Sequence, residues 1–303
     1  MSDEPKLGPV ARRLAATRRV MCVEDEPDIA AFLRAYFRAA GYDVVHLDPT
    51  RPGEVLEALA EHEPDCVLLD VRLRGFSGLE AYRRMRSDDR WAFTPVIMVS
   101  GNADPTSVAP GGLDAFVPKP FNTDRLAELV RERIEAATEL ATRGRHERIE
   151  LFGQDYLQAR LADEIAIAGN LGHLSLAIVQ LRSMDDVVAE VGGEGLDFLV
   201  RSLVERAREL LPEETVVGLT RRDELAVVLP GIGPRDAYNA LRNALADVSG
   251  EFQFVGGAVV PVQLTGGVAA YPESAGDPDG LFMAADVALA EAVDEGSLLQ
   301  LAR

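Results

Sequence analysis

The chain has 303 residues, 47% hydrophobic and 27% charged, which excludes a lone small fold and an intrinsically disordered chain and points to two globular domains. Its 31 basic and 50 acidic residues give a net charge of −19, and the imbalance lies downstream: residues 1–122 carry 15 basic and 19 acidic groups, residues 123–303 carry 16 and 31. Such a surface repels polyanions, so no nucleic-acid partner is expected, and with Lys6 and Lys119 the only lysines, nothing after residue 119 offers an ammonium to a phosphate. Residues 1–17 read as an N-terminal extension without the basic-then-apolar pattern of a secretion signal, and no apolar run is long enough to span a bilayer. A cytoplasmic protein with no membrane partner is expected.

Residues 18–122 alternate short β-branched runs with amphipathic segments, from RRVMCVED and DIAAFLRAYFRAAGY through DCVLLDV and PVIMVSG to DAFVPKPF. That alternation predicts an α/β, doubly wound parallel sheet of five strands with helices on both faces, its ligand chemistry at the carboxyl ends of the strands. Cys22 and Cys66 fall inside strand runs and read as reduced, buried thiols. His46, His62, His146 and His173 have no zinc spacing. Residues 123–150 read as a helix and linker: Leu126, Leu129, Val130, Ile134, Ala137 and Leu140 recur at three- and four-residue spacing, a stripe that offers a homodimer face, and the helix is expected to end or bend near Gly144. Residues 151–303 read as a second domain of α+β type with a mostly antiparallel sheet. Helices are expected at 154–169, 184–190, 195–210, 234–248 and 279–293, and strands at LSLAIVQL, VVGLT, LAVVLP and around VQLTGGVAA.

In the first domain Glu24 and Asp25 close the first strand, Asp70 the third, Ser100 the fourth and Lys119 the fifth, followed by Pro120. Three carboxylates converging on one sheet edge repel one another, and a hard dication with oxygen ligands, best Mg²⁺, relieves that repulsion and draws in phosphate. VMCVEDEPDI, LLDVRLRGFSGLE, VIMVSG and DAFVPKPF, in this order and spacing, resemble the receiver (CheY-like, flavodoxin-like) domains of two-component response regulators. The resemblance implies that Asp70 accepts a phosphoryl group from a histidine kinase or phosphotransfer protein. It implies that Glu24, Asp25, Asp70 and the Arg72 carbonyl hold Mg²⁺, and that Ser100 and Lys119 grip the phosphate. Phe116 matches an aromatic switch that repacks toward Ser100, with an ordinary core role as the alternative, and Pro120 matches a position preceded by a cis peptide. Two departures stand out: Arg74 where the family has Pro, and Glu24 where Asp is commoner.

In the second domain TRRDELAVVLP resembles the hairpin of GGDEF domains, with Arg221 and Arg222 in place of the two glycines and Asp223 and Glu224 retained. LSLAIVQLRSMDD, VQLTGGVAA and AADVALAEAVDEG resemble further landmarks of that family, whose diguanylate cyclases join two GTP molecules with the help of metal ions. Against that pattern Gln180 and Arg182 replace aspartates, Asp185 a lysine, Val188 an asparagine and Val293 a lysine, whereas Asp197 is kept. The family's inhibitory RxxD is absent at residues 212–215. The expectation is therefore a degenerate domain that is not an enzyme and signals by contact with a downstream protein. A divergent cyclase and a non-catalytic GTP or cyclic di-GMP sensor are the alternatives.

Overall fold

The computed structural model describes residues 17–101, 112–144, 151–169, 172–254 and 257–302. The chain divides between residues 143 and 144 into two compact units. The N-terminal extension up to residue 16 and the linker residues 145–150 lie outside the described residues.

The first unit runs β1 (Arg19–Val23), α1 (Pro27–Ala39), β2 (Asp43–Leu47), α2 (Pro52–His62), β3 (Cys66–Asp70), β4 (Arg72–Leu73), β5 (Phe76–Ser77), α3 (Gly78–Arg86), β6 (Val96–Ser100), β7 (Ala115–Pro118) and α4 (Thr123–Arg143). Five of these strands form a wholly parallel sheet in the order β2-β1-β3-β6-β7, the α/β architecture expected. β3 and β6 are buried along their whole length, as central strands covered on both faces must be. α1 starts on Pro27 with Asp28 in its first turn and buries Ala30, Leu33 and Phe37, one face at three- and four-residue spacing. Leu126, Leu129, Val130 and Ile134 of α4 join Val20, Cys22, Leu68 and Ile97 in one core, so this part of α4 packs as the last helix of the first unit. Cys22 and Cys66 are free and buried, and burial pushes the Cys22 thiol up to about 12.

A buried polar knot fastens the far side of this sheet. The Asp114 carboxylate accepts from Arg86, from Tyr82 Oη at 2.7 Å and from the Val96 amide at 2.7 Å. Arg86 also donates to the carbonyls of Trp91 and Thr94. All three nitrogens of that guanidinium find an acceptor, the condition under which a buried charge is tolerated.

The second unit runs β8 (Phe152–Gly153), α5 (Gln154–Ala168), β9 (Leu174–Leu181), α6 (Met184–Leu210), β10 (Val216–Arg221), β11 (Glu224–Pro230), α7 (Pro234–Val248), β12 (Gly250–Gln253), β13 (Val259–Val262), β14 (Leu264–Tyr271), α8 (Pro278–Glu295) and β15 (Leu299–Leu301). Its six-stranded sheet has the order β15-β14-β9-β11-β10-β8. The three inner pairings are antiparallel and the two outer ones, β14 with β15 and β10 with β8, are parallel. The sheet is thus mixed, with an antiparallel centre. α6 is two helices joined by a kink at Gly192, matching the two helices expected there. β12 and β13 stand apart as a two-stranded ribbon. Among the described residues no helix is long and apolar enough to cross a membrane.

Candidate functional site

The parallel sheet of the first unit delivers its polar residues to one edge. β1 ends at Val23, so Glu24 and Asp25 open the following turn, while Asp70 and Ser100 are the last residues of β3 and β6. Lys119 follows β7, its amide donating to the Ser100 carbonyl at 2.8 Å. Gly78 seats this edge: a Cβ there would lie 2.0 Å from the Asp70 carbonyl oxygen, so only glycine lets α3 begin against the end of β3. Ser77 caps that helix by accepting from the Leu79 amide.

One oxygen from each of Glu24, Asp25 and Asp70 lies within 4.8 Å of the others. Lys119 Nζ donates to Asp70 Oδ2 at 2.6 Å and to Glu24 Oε2 at 2.9 Å. The Asp70 side chain is 5% exposed and that of Lys119 17%, so the ammonium meets the carboxylates with little water between them. The Arg72 amide donates to Asp70 Oδ1 at 2.8 Å, and His46 Nε2 donates to the Glu24 carbonyl. Burial pushes the Glu24 carboxyl above its ordinary value and the Asp70 charge adds to this, against the pull of Lys119. Burial works against the Lys119 charge, yet its bonds to Asp70 and Glu24 outweigh this and hold the amine above its ordinary value. This donor set, three clustered carboxylates beside one ammonium, fits a hard dication and a phosphoryl group. Ser100 is buried beside it, half-buried Phe116 on β7 pairs with Met98 of β6, and the Lys119–Pro120 peptide is cis.

The side chains of Arg72 and Arg74 also reach this edge. Arg74 Nε donates to Asp25 Oδ2 at 3.3 Å and its Nη2 to the Asp25 carbonyl at 2.7 Å. The Arg72 guanidinium lies over Gly101, where a Cβ would sit 2.6 Å from Nη2. Arg72 opens β4 and Arg74 lies in the turn of the short β4–β5 hairpin, whose two-residue strands carry no periodic signal in sequence.

The second unit assembles a different cluster at the β10–β11 turn. Register places Glu224 beside Gln180 and Gln180 beside Thr265. Arg221 Nη1 lies 2.7 Å from Glu224 Oε1, the arginine side chain 66% exposed and the glutamate 8%. Gln180 Nε2 donates to Asp223 Oδ2 at 3.1 Å. Arg222 reaches Gly193 beside the α6 kink. Burial raises the Glu224 carboxyl, with Arg221 opposing and the charges of Asp223 and Asp286 adding, and burial likewise raises Asp286 on α8. Nothing in sequence spacing marks Asp286 as a neighbour of the hairpin. Among the residues carried over from the family pattern, Asp197 is buried, whereas Arg182 and Asp185 are exposed. With a guanidinium on Glu224 and an amide at Gln180, the hairpin as it stands does not fit a divalent cation.

Residues 20–131 match the family model of the response regulator receiver domain, and residues 150–297 match that of the diguanylate cyclase, GGDEF domain. The polar-differentiation response regulator DivK of Brucella ovis is 34% identical over 119 residues, which cover 38% of this chain and 94% of DivK. DivK of Brucella anthropi is likewise 34% identical, over 118 residues. The GGDEF domain of YfiN (TpbB) from Pseudomonas aeruginosa is similar in structure with a TM-score of 0.49 and 24% identity, over 52% of this chain and 94% of that one. The expectation that the second domain is not an enzyme is overturned by its match to the diguanylate cyclase family model along 150–297. The replaced ligands, on and just after β9, in α6 and α8 and at the β10–β11 hairpin, are single positions, whereas the match spans the whole domain.

Proposed function

We propose that this chain, which belongs to the response regulators and carries a receiver domain at residues 20–131 and a GGDEF domain at residues 150–297, is controlled by phosphorylation of Asp70. The observation that carries this reading is the cluster of Glu24, Asp25 and Asp70 with Lys119 bonded to two of its members. An Asp70 carboxylate oxygen attacks the phosphorus of a phosphohistidine on a histidine kinase or phosphotransfer protein. The P–O bond forms as the P–N bond breaks, and the imidazole leaves with the electron pair. Glu24, Asp25, Asp70 and the Arg72 carbonyl would hold Mg²⁺, which when bound would neutralise the phosphoryl oxygens. Lys119 transfers its bond from the free carboxylate to the phosphoryl group, and Ser100 donates from the end of β6. Phe116, one residue into the neighbouring strand, then follows Ser100 and carries the change to the outer face of β7.

The GGDEF domain is the output of this switch. Its reaction class is that of the family model, the joining of two GTP into cyclic di-GMP with release of two pyrophosphates, one GTP on each of two copies of the chain. What supports this reading is the family match along residues 150–297, since Glu224 at the hairpin is paired with Arg221. The test is chromatographic measurement of cyclic di-GMP from GTP and Mg²⁺ with the full chain, with and without acetyl phosphate. A severalfold change in rate on phosphorylation, absent in Asp70→Asn, is expected. Equal rates in all four samples would contradict phosphorylation control, and no product from the phosphorylated chain would remove this reaction from the second domain.

A further inference from the structure

The three carboxylates of the receiver edge are not bare. Lys119 is bonded to Glu24 and Asp70, and the third, Asp25, is taken by Arg74, which grips both its side chain and its carbonyl. The same guanidinium lies 3.9 Å from Asp48 Oδ2, in the turn after β2. Arg74 therefore ties three segments together: the β4–β5 hairpin, the turn after β1 and the turn after β2. Its position depends on Gly75, whose φ of 92° makes the turn between β4 and β5. The Arg74 side chain is 69% exposed while that of Asp25 is 14% exposed, so the tie is a flexible arm laid over a fixed ligand.

We propose that Arg74 is a tethered counter-ion that competes with Mg²⁺ for Asp25, and so acts as a positioning residue that sets the cation affinity of the receiver. This deepens the reading of Glu24, Asp25 and Asp70 as the Mg²⁺ site and rests on it. An ion entering the cluster displaces the guanidinium from Asp25 Oδ2 or shares the oxygen with it. Either way a positive charge stands within a few ångströms of the dication. At a water-exposed edge the repulsion is partly screened, which places the effect at about threefold to tenfold in affinity. Once displaced, the arm is free beside the position where a phosphodonor must approach.

Calorimetric titration of the full chain with MgCl₂ tests this. Arg74→Ala is expected to bind Mg²⁺ about threefold to tenfold more tightly than the unmodified chain. Arg74→Lys, which keeps the charge and loses the two-pronged grip, is expected to fall between them. Arg38→Ala, an exposed arginine in the last turn of α1 at the far end of that helix from Asp25, is expected to leave the affinity unchanged. In an Asp25→Asn background the Arg74→Ala gain is expected to shrink to less than twofold. A dissociation constant for Arg74→Ala within twofold of the unmodified chain, or an equal gain from Arg38→Ala, would overturn the inference and leave the site reading intact. Absence of Mg²⁺ binding in both the unmodified chain and Arg74→Ala would overturn the site reading itself.

Discussion

Two clusters of carboxylate and cation, one in each unit, look alike on paper and differ in their pairing. At the receiver edge three acids share Lys119 and Arg74, and Lys119 is mostly sheltered, 17% exposed beside carboxylates that are 3% and 5% exposed. At the β10–β11 turn the sheltered Glu224 is met by Arg221, a mostly exposed side chain, and the neighbouring strand contributes the neutral Gln180. The first cluster holds charge in excess of its cations and has reason to take a dication. In the second, Glu224 is paired with Arg221, Asp223 accepts from Gln180, and Asp286 adds a further negative charge nearby. What differs is therefore the pairing partner of the sheltered carboxylate, a sheltered ammonium in one cluster and an exposed guanidinium arm in the other.

The largest expected effect comes from removing the cation of the first cluster. Lys119→Ala leaves Glu24 and Asp70 facing each other without an ammonium and takes from the phosphoryl group its one buried donor of full charge. The rate of phosphorylation by acetyl phosphate is expected to fall by about 100-fold or more. A loss below about fivefold would mean that Lys119 only packs the edge.

The matched removal in the second cluster should be quieter. Arg221 draws the Glu224 carboxyl downward against burial, so Arg221→Ala is expected to move it further up, as read by carbon NMR of the labelled carboxyl. A carboxyl raised in the folded state favours folding below its unfolded value, and that contribution is lost as pH rises through the folded value. The variant is therefore expected to lose more stability than the unmodified chain between acid and neutral pH in urea unfolding. An unmoved Glu224 titration would show that the Arg221 contact does not persist in solution.

Much of the receiver was legible because its pattern is local: each strand end carries its polar residue within one or two positions of an apolar run, and the parallel sheet brings those ends together. The β4–β5 hairpin was not legible, since two-residue strands have no period. Arg74 stood out in sequence, but its pairing with Asp25, 49 residues away, is a product of the fold. β8, β12 and β15 were missed for the same reason of shortness, as ribbon and edge strands of two to four residues. In the second unit Gln180 and Glu224 come together across paired strands, and Asp286 comes to the hairpin from α8 by tertiary packing alone. The expectation that the second domain is not an enzyme rested on single ligand positions such as Gln180 and Val293, which the match of the whole domain at residues 150–297 outweighs.

Everything downstream depends on the receiver edge accepting a phosphoryl group on one aspartate. Treating the full chain with acetyl phosphate and Mg²⁺, reducing the acyl phosphate with borohydride and mapping the product by peptide mass spectrometry reads this directly. Conversion of Asp70 alone to homoserine is the predicted result. Reduction at another carboxylate, or none in a chain shown to bind Mg²⁺, would contradict it.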